Sequence, residues 1–188
     1  MRSKNNLRTW IEVDVKALAR NYRAFRRLLA RPKGLGIGPQ VKLMAVVKSN
    51  AYGHGLIDFS RQMVKFGIDW LGVDSIIEAV ALRRAGIKKN ILVLGYTQPT
   101  NFPVAAVDNI VITVSSSDSL RQLLTLSRPP QFHLKIDTGM HRQGFLPSEI
   151  LKLLKFLRRF RLSPQGISTH FSAKDWGYPA YTELQLVE

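Results

Sequence analysis

The chain has 188 residues, 45% hydrophobic and 22% charged, the balance of a soluble globular protein long enough to bury a real core. It has no cysteine, which excludes disulfides and thiolate metal sites, and no apolar run near the roughly 18 residues a membrane span needs. The net charge of +15 raises the question of nucleic acid, but the basic residues (Arg23, Arg26 and Arg27; Arg83 and Arg84; Lys88 and Lys89; Arg158, Arg159 and Arg161) are dispersed. No recognition helix, zinc spacing or aromatic RNA-binding signature accompanies them, so they read as solvated helix faces with no specific nucleic-acid partner.

In chain order, Met1 to Thr9 is basic and polar and lacks the apolar core of a secretory signal, so a cytoplasmic protein is expected. Ile11 to Val15 alternates like a half-exposed strand. The stretch after it puts Leu18, Tyr22, Phe25 and Leu29 on one helical face, with Asp14 available as a cap. Arg31 to Gln40, with three glycines and two prolines, reads as a loop. Its Gly34-Leu35-Gly36-Ile37-Gly38 precedes a strand and has the wrong spacing for a dinucleotide fingerprint.

From there short apolar runs alternate with helical patterns. Strands are predicted at Leu43–Val47, Trp70–Val73, Ile91–Leu94, Ile110–Val114, Phe132–Ile136 and Gln165–Thr169. Helices are predicted at Ser75–Ala85, Ser116–Leu126, Ser148–Phe160 and Tyr181–Glu188. This alternation points to βα units and a parallel sheet buried on both faces, with no linker dividing the chain. The 148–160 helix is strongly basic outside a side formed by Ile150, Leu153, Leu154 and Leu157. Set between two strands, it reads as an outer-layer helix rather than a membrane-surface element.

The most informative segment is Ala45-Val46-Val47-Lys48-Ser49-Asn50-Ala51-Tyr52-Gly53-His54-Gly55. An apolar run carries Lys48 to its end and gives way at once to a turn-prone, glycine-rich stretch. A lysine at the tip of a buried strand is partly desolvated, which favours the neutral amine that attacks a carbonyl to form a Schiff base. Taken alone, a strand-end lysine is more often a solvated side chain. If the strands close into a (β/α) barrel, functional residues belong at strand C-terminal ends. Lys48, Lys135, Asp137, the loop through Arg142, and His170 all fall there, although any one of them alone would more often be structural. The four histidines show no ligand spacing, so no metal is expected.

The Lys48 string resembles the cofactor-lysine motif of the alanine racemases. Further segments resemble the same family: Trp10–Asp14 with Asn21 and Leu28–Leu29, Leu71–Val73 with Glu78–Ala79 and Leu82–Ile87, His133–Arg142, and Ser168–Phe171. The resemblance implies a TIM-type (β/α)8 barrel, present here as an incomplete barrel of about six of eight strands spanning residues 1–188. It implies pyridoxal 5'-phosphate (PLP) as cofactor, interconversion of L-alanine and D-alanine, supply of D-alanine for peptidoglycan, and a homodimer for the complete enzyme.

By the same resemblance Lys48 binds PLP and acts as one of two proton-transfer bases. Tyr52 binds the cofactor phosphate, and Arg142 contacts the phenolic oxygen of PLP and the substrate carboxylate. Lys135 matches a lysine carbamylated in many members, where it orients that arginine, and His170 lies against the cofactor ring. Gln143 stands where leucine is common. The second base, a tyrosine from a C-terminal β domain of the partner subunit, is not found in these 188 residues, so the isolated chain is expected to be inactive. The alternatives are a serine or broad-spectrum racemase and a non-catalytic, degenerate PLP-binding barrel.

Overall fold

Among the described residues, six short strands stand side by side in chain order, every neighbouring pair parallel. The computed structural model describes residues 9–30, 41–172 and 179–187. The strands are β1 (Met44–Val46), β2 (Trp70–Val73), β3 (Asn90–Tyr96), β4 (Val111–Val114), β5 (Phe132–Lys135) and β6 (Gly166–Ser168). Helices α1 (Val15–Leu29), α3 (Leu56–Phe66), α4 (Ile76–Arg84), α5 (Phe102–Val107), α6 (Ser117–Leu123), α7 (Ile150–Phe160) and α8 (Pro179–Val187) alternate with them, and a single turn, α2 (Lys48–Tyr52), follows β1. This is a TIM-type half-barrel, as the alternation of short apolar runs and helical patterns predicts.

The two faces of the sheet differ. Val47, Leu71, Val73, Ile91, Val93, Ile112 and Leu134 turn outward and form one buried cluster with Leu82, Leu120, Leu123, Leu153 and Leu157 of the covering helices. Apolar burial of this kind drives the fold, at about 1.5–3 kcal/mol for each fully buried aliphatic side chain. The other face is concave. Trp70 of β2 meets His133 of β5 in a tilted ring contact with centroids 5.5 Å apart, although two strands lie between them. A Cβ on Gly166 of β6 would come within 2.7 Å of the His133 ring, so the neighbouring strand makes room for it by having no side chain there. Burial lowers the His133 pKa and favours the neutral ring.

Several expectations are corrected. Ile11 to Val13 form no strand. Ile11 is 73% exposed, and Asp14 instead caps α1, accepting from the N–H groups of Lys16 at 2.8 Å and Ala17 at 3.1 Å. On α1, Leu18 and Tyr22 pack inward but Phe25 is 58% exposed, and on α7 Leu154 turns away from buried Leu153 and Leu157. Two arginines read as solvated are structural. Arg83 donates to the carbonyls of Ile87, Lys89, Asp108 and Asn109, tying together the loops before β3 and β4. Arg26 pairs with Asp69 at 2.7 Å and donates to the Gly67 carbonyl and the Tyr22 hydroxyl. The stretch Arg31 to Gln40 read as a loop, and residues 1–8 of the basic N-terminal stretch, lie outside the described residues.

Candidate functional site

Lys48 begins α2 directly after β1, at the C-terminal end of the sheet. The turn is left-handed. Ser49, Asn50, Ala51 and Tyr52 have φ of 53°, 56°, 53° and 52°, a conformation that costs L-residues roughly 1–2 kcal/mol each. Such a run persists only where its surroundings hold it, and strained backbone of this sort gathers at functional sites. Here Ala51 is buried and donates to the Val47 carbonyl, the Asn50 side chain accepts from the Leu56 N–H at 2.8 Å, and Gly53 closes the turn. Lys48 is thereby presented at the strand tip with its side chain 35% exposed, and Tyr52 stands out at 61%.

The end of β2 faces the same turn. Lys48 Nζ lies 3.5 Å from Asp74 Oδ1. Glu78, in the first turn of α4, accepts from the Asp74 N–H at 2.9 Å and from the Asn50 N–H at 3.4 Å. Sequence reasoning gave neither residue a role. Ser75-Ile76-Ile77-Glu78 has the form of a capping box, in which the glutamate returns to the cap's own N–H. Glu78 reaches one residue further back and across to α2, which the motif alone does not show.

After β5 the chain folds around Asp137. Its Oδ1 accepts from the N–H groups of Gly139 at 3.0 Å and His141 at 2.9 Å, and its Oδ2 from that of Arg142 at 3.0 Å. Burial works to raise the Asp137 pKa, but these backbone donors outweigh it and the pKa is lowered. Lys135, two residues earlier, is buried, and its pKa is lowered by that burial and by the charge of Arg142, against an opposing pull from Asp137. Arg142 itself is exposed. Gln143 donates to the Leu94 carbonyl at 3.1 Å, where β3 departs from regular register, so this position uses polarity rather than apolar packing.

His170 follows β6 and is exposed beside this loop. The sequence predicts the helix that joins the two loops, α8, but gives its Gln185 and Tyr181 no role. Gln185 of α8 is 3% exposed; its amide donates to the His170 carbonyl and the Thr138 hydroxyl and accepts from the Ser172 N–H and hydroxyl. Tyr181 donates to the Gly139 carbonyl at 2.7 Å. A glutamine set between two leucines, Leu184 and Leu186, was the available signal.

The fold thus brings Lys48, Tyr52, Lys135, Arg142 and His170 to one end of the sheet. That end offers a reachable amine, a depressed buried amine, a guanidinium and a phenol. Among the described residues no group of three or more histidine, cysteine or acidic side chains is arranged to hold a metal, and no helix is long and apolar enough to cross a membrane.

Residues 13–188 match the family model of the alanine racemase N-terminal domain. The alanine racemase of Symbiobacterium thermophilum is 39% identical over 184 residues, covering 95% of this chain and 46% of its own length. The crystal structure of alanine racemase from Bacillus anthracis with bound L-Ala-P superposes with a TM-score of 0.83 at 32% identity, covering 95% of this chain and 46% of that one. A histidine racemase from Leuconostoc mesenteroides superposes with a TM-score of 0.80 at 26% identity, covering 92% and 46%. The chain therefore spans about half the length of the relatives it matches. With the motifs, the half-barrel and these likenesses in agreement, the chain belongs to the alanine racemase N-terminal-domain family.

Proposed function

We propose that this chain forms the PLP-binding half-barrel of an amino-acid racemase acting on alanine. The observation that carries the reading is the placement of Lys48, a strand-end lysine held in a strained turn and half open to solvent at the end of the sheet that also bears Lys135 and Arg142. The residues fit an anionic aldehyde. An amine is available for covalent attachment, and phenol and guanidinium groups are available for phosphate, phenolate and carboxylate oxygens. When bound, PLP supplies an electron sink that makes the α-proton of an amino acid removable.

The residues would divide the work as the family motifs imply. Lys48 would hold the cofactor and move a proton on one face of the substrate. Tyr52 would bind phosphate, Arg142 would orient the phenolic oxygen and the substrate carboxylate, and His170 would lie against the ring. Lys135 is suited to carbamylation. Its depressed pKa leaves more neutral amine to attack carbon dioxide. A C–N bond forms as one C=O π bond opens onto oxygen, nitrogen releases a proton to solvent, and the resulting carbamate anion would be stabilised by the Arg142 charge. In this reading the second base comes from a C-terminal β domain outside residues 1–188, contributed within a cytoplasmic homodimer whose D-alanine serves peptidoglycan.

The test is to add PLP to the full-length protein, reduce with borohydride and map the adduct. Preferential labelling of Lys48 is expected; labelling no stronger there than at surface lysines would refute the assignment. The likeness to a histidine racemase favours a second reading, a racemase for a larger side chain. Substrate profiling of the full-length protein separates the two, with alanine turned over fastest in the reading preferred here.

A further inference from the structure

We infer that Glu78 is a positioning residue, whose single carboxylate fixes the Lys48 turn against the end of β2. This rests on the reading of Lys48 as the cofactor lysine. The left-handed run from Ser49 to Tyr52 is unfavourable in itself, so its direction depends on contacts from outside. Val47, at the base of the turn, donates its N–H to the Gly72 carbonyl of β2 at 2.7 Å. The hydrogen bonds of Ala51 and Gly53 and of the Asn50 side chain, however, close the turn on its own neighbours, and none of these relates its far side, at Asn50, to the end of β2. Glu78 does so. Its Oε1 accepts from Asn50, 28 residues away in sequence, while its Oε2 accepts from Asp74, whose own carboxylate faces Lys48 Nζ at 3.5 Å.

The arrangement is a three-point frame. Glu78 is anchored at the start of α4, where its own N–H donates to the Ser75 hydroxyl. One carboxylate oxygen locates the backbone of Asp74 and the other the backbone of Asn50, so Lys48 and its counter-ion are set at a fixed separation. Both bonds are open to solvent, and their strength comes from the charge on the accepting carboxylate. The contribution of Glu78 is to where the amine points, acting through Asp74 and Asn50.

Glu78→Gln isolates this role. The amide has one oxygen where the carboxylate has two, so it can serve the nearer Asp74 N–H only by turning its NH2 group toward the Asn50 N–H. In the full-length protein, PLP addition with borohydride trapping is followed at Lys48, with Lys155 on the outer face of α7 as internal standard. The variant is expected to lower the initial rate of Lys48 labelling about tenfold, the scale of one partly exposed charge-assisted hydrogen bond, with Lys155 unchanged. Unchanged Lys48 labelling in a folded variant overturns the inference. If the variant does not fold, amide exchange in the unsubstituted protein decides: slowed exchange at Asn50 supports the bridge, and exchange at the free-peptide rate overturns it. Failure of the unsubstituted protein to label at Lys48 refutes the cofactor reading instead, a result distinct from either.

Discussion

The backbone N–H of Arg142 donates to the Asp137 carboxylate at 3.0 Å, so the loop carrying the guanidinium is tied back to the strand end from which it departs. Gly139 and His141 donate to the other carboxylate oxygen, and three N–H groups converge on one buried side chain. Asp137→Ala should destabilise the protein by about 2–3 kcal/mol in denaturant unfolding, because it strands donors that Asp137 satisfies. The dependence on pH has a definite sign. The folded-state pKa of Asp137 is lowered, so the unfolded chain binds more protons in that range. Its contribution is full above the ordinary carboxylate value of about 3.9 and is lost as pH falls through the lower folded value. Asp137→Asn should therefore show a shallower loss of stability below about pH 4 than the unsubstituted protein. Identical acid limbs in the two unfolding curves would count against this account.

Gly144 completes the same loop by being absent as a side chain. A Cβ there would lie 2.6 Å from the Asp137 N and 2.9 Å from the Ile136 carbonyl carbon, both backbone atoms that cannot swing aside, at a φ of +136°. Gly144→Ala should cost about 3 kcal/mol or more through overpacking and strain together. Gly53 at φ +89° meets nothing within 4 Å, so Gly53→Ala should cost only about 1–2 kcal/mol of conformational strain. Thermal or denaturant unfolding of the pair measures the steric part by difference; equal losses would show that no close contact exists at Gly144.

Local periodicity made most of the scaffold legible. Trp70–Val73 is a strand with the bounds the apolar run suggests. The position of Lys48 at a strand end was legible because an apolar run gives way there to turn-prone residues, whereas its role rests on the family resemblance. The same logic failed at Ile11 to Val13, where alternation had no neighbouring strand to pair with and Asp14 captured the chain for a helix. The frame around the site was not legible, because its bonds join distant positions: Glu78 to Asn50 across 28 residues, Gln185 to Thr138 across 47. The left-handed geometry of Ser49 to Tyr52 was hidden too, since a run of four positive-φ residues without glycine is rare and only Asn50 among them favours that region.

Gln185 is the most heavily used of the frame residues. It joins α8 to Thr138 after β5 and to His170 and Ser172 after β6, while remaining almost fully buried. Gln185→Leu keeps the volume but leaves several polar groups without partners, at a cost of about 2–3 kcal/mol. The mechanism predicts where the loss appears. Hydrogen exchange should quicken together at residues 138–142 and 170–172 and stay unchanged in β2 and β3. Quickening confined to α8 would mean that the helix frays without holding the loops.

The left-handed turn allows stability and function to be set against each other. Ser49 is exposed at φ 53°, so Ser49→Gly relieves strain of roughly 1–2 kcal/mol while adding about 0.5–1 kcal/mol of unfolded-state entropy. The net expectation is unchanged or slightly raised stability, by up to about 1.5 kcal/mol. Ala51→Gly, at a buried position in the same turn, also removes a packed methyl, and should gain less than Ser49→Gly or lose stability outright. A strained turn serves the site by holding Lys48 in one direction, and glycine at its first left-handed residue admits others. Ser49→Gly should therefore melt no lower than the unsubstituted protein yet label more slowly at Lys48 on borohydride trapping. A variant that both melts higher and labels as fast would show that the strain in this turn has no part in presenting the lysine.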